Sequence, residues 1–212
     1  MNVQKFISLR PFLYHLTDEN NIGNIINSRM LLSTQRIVVS SNIIDKQHFL
    51  RSKRNNHEII YSGLQQYKIR DQQPISICAL SKCLTDNWTT GDFIEHLNKR
   101  VFFWCTIDRL KRHFDRYINE NPVIIKCSTA DVLELNGARV EYCRINSGAT
   151  RANSHLGGIA PVRGSNTFFR SDLFPLTSGK VVEVTVLDHC LLPEDCFISD
   201  SPKGPWQSLE FE

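Results

Sequence analysis

The sequence predicts an α/β (α+β) fold built as one domain over residues 1–212. Two observations carry that expectation. Apolar, β-branched runs suited to buried strands alternate along the chain with segments whose apolar residues recur at helical spacing. No repeat, low-complexity tract or linker divides the 212 residues, and 41% hydrophobic with 22% charged residues is ordinary globular composition, enough to bury one core.

Residues 12–17, FLYHLT, read as a strand entering that core. Asp18-Glu-Asn-Asn then starts a helix whose apolar positions Ile22, Ile25, Ile26 and Met30 fall at helical spacing. Ser33 to Lys53 is polar with apolar repeats at Ile43, Ile44, Phe49 and Leu50, which predicts a second helix. Short strand-like runs follow, EIIY (58–61), YKIR (67–70) and PISICAL (74–80), the first two paired as a hairpin around Ser62-Gly63. Trp88 to Asn98 predicts a helix opened by Thr89 or Thr90; RVFFWCT (100–106) is a strand and DRLKRHFDRY (108–117) a basic helix. Pro122 introduces the strand VIIKCS, Thr129 to Glu134 form a short helix, and VEYCRI (140–145) returns to strand. Asn146 to Ser165, rich in Asn, Ser, Gly and Arg, reads as a long surface loop of the kind that carries function. TFFR and the turn-rich LFPLTSG come next, and KVVEVTVLD (180–188) is a strongly β-branched strand.

A formal charge of +3 is too small to announce nucleic acid by itself, and the runs Arg51-Ser-Lys-Arg54 and Arg109-Leu-Lys-Arg-His113 read first as solvated basic faces. No stretch of about 18 apolar residues could cross a membrane. The first residues also lack the basic-then-apolar pattern of a signal peptide, so the expectation is a soluble, cytoplasmic protein with no membrane contact. Seven scattered cysteines without a C-x-x-C pair fit free thiols in a reducing compartment and argue against zinc; no metal site is expected.

Two polar residues intrude into apolar strands: His15 in FLYHLT and Glu183 in KVVEVTV. Strand alternation sets Val182, Val184 and Val186 on one face and Val181, Glu183 and Thr185 on the other, so Glu183 points either to solvent or into a cleft. His15 is either a hydrogen-bonded structural histidine or a group that orients a ligand hydroxyl.

An aromatic-His-x-Thr strand, a helix starting DENN, a VFFW strand followed by a helix, a VIIKC strand and a V-E-V strand ending before LLPED follow one another in order. Over most of residues 12–198 this series resembles the ADP-ribosyltransferase fold, a split mixed sheet with flanking helices that binds NAD between its halves. Within that fold it is most similar to the DarT-type DNA ADP-ribosyltransferase toxins and a related uncharacterised family. FLYHLT with its following helix is the most specific element.

The resemblance implies that NAD is a substrate, that His15 holds the ribose on the nicotinamide side, that the backbone of Leu16 pairs with the carboxamide and that Thr17 adds a hydroxyl. Asn21 matches an Asn at the start of the first helix. Arg54 falls near an arginine that reaches the phosphates, with Arg51 one helical turn away as the alternative. Glu183 matches the glutamate that stabilises the cationic transition state. Where related transferases often have a stacking Tyr, this chain offers Phe103, or Phe102 in a shifted register. The resemblance also implies a macromolecular acceptor and an antitoxin or immunity protein as partner. The loop at 143–158, with Arg144, Asn146, Arg151 and His155, is either an acceptor contact, its two arginines favouring DNA or RNA, or a plain solvated loop. Trp88 and Trp206 are candidates for base stacking. Two other functions share the fold: an NAD-dependent RNA 2′-phosphotransferase, which would need additional arginines in one cleft, and a catalytically silent binding module.

Overall fold

In the computed structural model of the protein, residues 1–150 and 160–212 are described. The backbone is built around an eight-stranded sheet. Its strands are β1 (Phe12–Asp18), β5 (Arg100–Trp104), β6 (Pro122–Ser128), β7 (Val140–Cys143), β8 (Phe168–Phe169), β9 (Glu183–Leu187), β11 (Cys196–Ser199) and β12 (Gln207–Leu209). They lie in the order β12-β11-β6-β1-β5-β9-β7-β8. Two short sheets flank it, one pairing β2 (Met30–Leu32) with β10 (His189–Leu191), the other a hairpin of β3 (Glu58–Ser62) and β4 (Gln65–Ile69) turned at Gly63, whose φ is +61°. A left-handed turn position of this kind costs glycine nothing.

Every ladder between these strands is antiparallel, so the expected mixed sheet is corrected to an antiparallel one. Parallel neighbours need a same-direction crossover, and no two adjacent strands here run the same way. Pairing along the sheet is uneven. β1 pairs with β6 along its whole length, from Phe12↔Ser128 to Asp18↔Pro122, and β5 pairs with β9 from Arg100↔Leu187 to Trp104↔Glu183. Between β1 and β5 the register holds only Tyr14↔Trp104. Beyond that pair the two halves part.

Helices cover both halves. α1 (Val3–Leu9), α2 (Ile22–Ser28) and α8 (Thr129–Asn136) bring Phe6, Ile25 and Val132 onto a core with Leu13, Phe103, Ile125 and Val184. α7 (Ile107–Phe114) seats Leu110 and Phe114 on Ile124 of the opposite face. α5 (Ile77–Ser81) and α6 (Thr90–Asn98) form a second cluster through Leu80, Phe93, Ile94 and Leu97. α3 (Thr34–Val39) and α4 (Lys46–Arg51) pack Ile37, Val38 and Leu50 on Ile60, Tyr67 and Ile69 of the hairpin. α6 begins as its sequence directs: Thr89 caps Asp92 N–H and Asp92 reaches back in a capping box.

Several expectations are corrected. PISICAL is not a strand: Ser76 accepts from Ala79 N–H and starts α5, with Leu80 buried and Ile77 exposed. The first helix stops at Ser28 because Arg29 turns left-handed at φ 53°, and Met30 opens β2 instead. Ser33 to Lys53 holds two short helices capped separately by Ser33 and Asp45. α1, β10, β11 and β12 lie in stretches from which no element was expected, each too short for a periodic signal. No helix among the described residues is long and apolar enough to cross a membrane.

Candidate functional site

A cleft of ≈ 310 Å³ opens where β1 and β5 part. Such a volume falls within the range of small-molecule sites, about 300–1,000 Å³. His15, Leu16, Thr17, Asn21, Arg54, Phe103 and Glu183 all line it, although they come from well-separated stretches of chain. Arg51 does not. It turns to α6, pairing Nη2 with Asp92 at 2.6 Å and Nη1 with Glu95 at 2.9 Å.

His15 bridges the seam. Its Nδ1 lies 2.9 Å from the carbonyl oxygen of Phe102, and its ring sits 5.7 Å from that of Phe103. Burial pulls the imidazole down to about 4, more than the Phe102 carbonyl holds it up, and nearby Arg70 pushes it further down. The ring is neutral near pH 7. Because a carbonyl only accepts, Nδ1 carries the proton and Nε2 is left as an acceptor.

Thr17 and Asn21 are already committed within the protein. Asn21 donates to Thr17 Oγ1 (3.2 Å) and Lys68 O (2.9 Å) and accepts from Lys68 N–H (2.8 Å), docking β4 beside β1. Arg54, 8% exposed, donates from Nε to Arg70 O (3.2 Å) and from Nη1 to Asn98 Oδ1 (3.1 Å), leaving Nη2 without a protein partner among the described residues. Burial lowers its guanidinium to about 10, which Glu58 and Asp71 partly offset, so it stays charged at neutral pH. Phe103 is 1% exposed and belongs to the core, whereas Phe102 and Trp104 on either side of it are half-buried and also line the cleft.

Glu183 begins β9 between two neighbours, paired with Trp104 on one side and Cys143 on the other. It does not face solvent: it is 4% exposed. Ser147 donates to its Oε2 from both the hydroxyl (2.7 Å) and the backbone N–H (3.2 Å). Burial pushes the carboxyl up to about 7, against the two Ser147 bonds and the charges of Arg163 and Arg109, which pull it back. A carboxyl of this kind changes charge near neutrality, where a general base is most effective.

Several cleft residues lay outside the sequence-based expectation. Ser147 comes from the long loop; of the candidates named in that loop, Asn146 lines the cleft, Arg144, though in the described part of it, does not, and Arg151 and His155 lie outside the described residues. Lys68, Arg70, Arg100, His113 and Tyr117 also line the walls. Arg70 donates to Thr17 O (2.6 Å) and stacks 4.5 Å over the Tyr117 ring, whose hydroxyl donates to Asp71 Oδ1 (3.1 Å). Burial lowers His113 to about 4, with Arg70 acting in the same direction. The spacing of Leu110, His113, Phe114 and Tyr117 could have signalled the inner face of α7. Nothing local marks Ser147.

Trp88 packs edge-on against His96 away from the cleft, and Trp206 sits with Tyr14 and Lys126. All seven cysteines are free thiols.

Fold and cleft together define an α/β protein with a large antiparallel sheet and a preformed, ligand-sized cavity at the sparsely paired β1–β5 seam. Residues 11–195 match the family of unknown function DUF7002, and the chain belongs to that family. No curated protein and no solved structure matches it.

Proposed function

We propose that the protein is an ADP-ribosyltransferase-like enzyme that takes NAD as substrate and transfers ADP-ribose to a macromolecular acceptor, with nucleic acid the favoured class. One observation carries this reading: His15, Leu16, Thr17, Asn21, Arg54, Phe103 and Glu183, named from a resemblance in sequence, line a single cleft at a sheet seam.

The chemistry follows from the groups present. Nε2 of His15 accepts a hydrogen bond from a ribose hydroxyl, and Arg54, with Lys68 and Arg70 nearby, gives the cleft a cationic wall suited to a pyrophosphate. The bond between the ribose anomeric carbon and nicotinamide breaks, and its electron pair departs with nicotinamide. The acceptor's oxygen or nitrogen supplies the pair for the new bond and gives up its proton. Glu183, as carboxylate, stabilises the positive charge developing on the sugar and takes that proton. The ring that packs on nicotinamide is drawn from Phe103 and its more open neighbour Phe102.

Calorimetric titration with NAD, and release of nicotinamide with DNA, RNA and protein acceptors present, test the reading. Absence of both binding at millimolar NAD and nicotinamide release would discard it in favour of a silent binding module. The presence of Arg54, Arg70 and Arg100 in one cleft favours a second reading, the RNA 2′-phosphotransferase. NAD consumption that requires 2′-phosphorylated RNA would select it.

A further inference from the structure

Arg163 is 1% exposed and heads the largest fully buried side chains of the protein. A guanidinium removed from water needs every donor met, and it has no carboxylate hydrogen-bonded to it among the described residues. Its bonds go to backbone oxygens instead. Nε donates to Ser147 O (3.1 Å), Nη2 to Asn146 O (3.0 Å) and Ala149 O (2.7 Å), and Nη1 to Pro161 O (2.5 Å), with Cys83 Sγ at 3.8 Å.

Its own backbone is fastened elsewhere. Arg163 N–H donates to Cys83 O (2.8 Å), and Arg163 O accepts from Thr85 N–H (2.8 Å). The side chain is therefore a rigid fork reaching from the residue 83–85 segment into the turn at 146–149. That turn carries Ser147, whose hydroxyl and N–H both bind Oε2 of Glu183, while Oε1 has no protein partner among the described residues.

We propose that Arg163 is a positioning residue: it fixes the 146–149 turn so that Ser147 clamps Oε2 of Glu183 and leaves Oε1 as the oxygen available for chemistry. The proposal rests on Glu183 being the working carboxylate of the transferase reading. The charged and titratable groups around that carboxylate are Cys105 just after β5, Cys143 on β7, Arg109 on α7 and Arg163 itself. Both thiols are pushed up by burial and stay neutral, so Arg109 and Arg163 are the charges that matter.

Arg163→Lys separates the fork from the charge, because an ammonium keeps the positive charge but cannot span three carbonyls of one turn. The readout is the titration of the Glu183 carboxyl by 13C NMR, identified by its loss in Glu183→Gln, and it needs neither NAD nor turnover. Loss of the clamp should raise the midpoint by about one pH unit or more in Arg163→Lys, and by less in Ser147→Ala, which keeps the N–H bond. The double variant should match Arg163→Lys alone, and the pH profile of NAD cleavage should move with the titration.

A Glu183 midpoint in Arg163→Lys equal to that of the wild type, with only the melting temperature lowered, would overturn the proposal. Additive shifts in the double variant would do the same. Should Arg163→Lys fail to fold, an unchanged midpoint in Ser147→Ala refutes the clamp and a raised one supports it. Failure of wild-type protein to cleave NAD would count against the transferase reading and leave the titration result standing.

Discussion

The imidazole Nδ1 of His15 and the carbonyl oxygen of Phe102 meet at 2.9 Å across the gap where β1 and β5 separate. This contact fixes which nitrogen carries the proton. At pH 7, 15N NMR should show a neutral ring protonated at Nδ1, and His15→Ala should weaken NAD binding about tenfold, the loss of roughly one hydrogen bond. An imidazolium signal at pH 7 would contradict the burial argument.

Stability should fall as the solution is acidified. His15 and His113 are each lowered to about 4, so between about 6.5 and 4 the unfolded chain binds more protons than the folded one. Their contribution is complete above 6.5 and lost as pH drops towards 4. Glu183, raised to about 7, works oppositely: its contribution is complete below about 4.5 and lost as pH rises through 7. His96, lowered by burial to about 3, acts in the same direction, and three imidazoles outweigh one carboxyl, so the urea midpoint should be lower at pH 5 than at pH 7. A higher midpoint at pH 5 would show that other groups govern acid stability.

Glu183→Gln should trade activity for stability. It keeps the shape and an acceptor for Ser147 but removes the cost of ionising a buried carboxyl. Above pH 7 the variant should be more stable by roughly 1–3 kcal/mol, while ADP-ribose transfer falls by about 10²–10³-fold with NAD affinity largely kept. Chemical denaturation at pH 8 and nicotinamide release measure the two halves. Undiminished transfer would remove Glu183 from the chemistry.

Arg54 and Arg51 should behave differently although both sit near the end of α4. Arg54→Lys should weaken NAD binding about tenfold or more, because a lysine cannot offer the same planar donors. Arg51→Ala, which breaks half-exposed pairs with Asp92 and Glu95, should leave binding intact and cost about 1 kcal/mol or less. Equal effects on binding would mean that Arg54 acts only through the scaffold.

Native protein should expose one reactive thiol. Cys78 is exposed and the other six cysteines are buried, with Cys105 and Cys190 each pushed up to about 12 by burial. A thiol reagent such as DTNB should therefore label one group per chain quickly and the rest only on unfolding. Rapid labelling of two or more would indicate an opening of the core.

The most legible parts of the sequence were those where one local rule acts alone. β1, β5, β6 and β9 are long β-branched or aromatic runs, and Thr89 with Asp92 announces α6. PISICAL misled because its apolar residues suit a strand in isolation, whereas Ser76 as a cap and the burial of Leu80 decide for helix. His15 and Glu183 stood out because a polar side chain in an apolar strand breaks the pattern. Asn21 is named through the resemblance alone, and its amide is spent on the backbone of Lys68, a contact with a partner 47 residues away that no local pattern encodes. Arg163 and Ser147 were invisible for the same reason, since a buried arginine whose acceptors are loop carbonyls has no periodicity to betray it.

The single rung at Tyr14 and Trp104 also has a mechanical meaning. A continuous ladder resists bending at every residue, but here the stiffness across the seam resides in one backbone pair, the His15 bridge to Phe102 and the side chains packed around them. The cleft lies where the backbone itself supplies least pairing, with residues of β1 on one wall and Glu183 of β9 on the other. A molecule gripped at once by the β1 side and by Glu183 works as a strut, so that tight binding and a stiffer sheet become one and the same event.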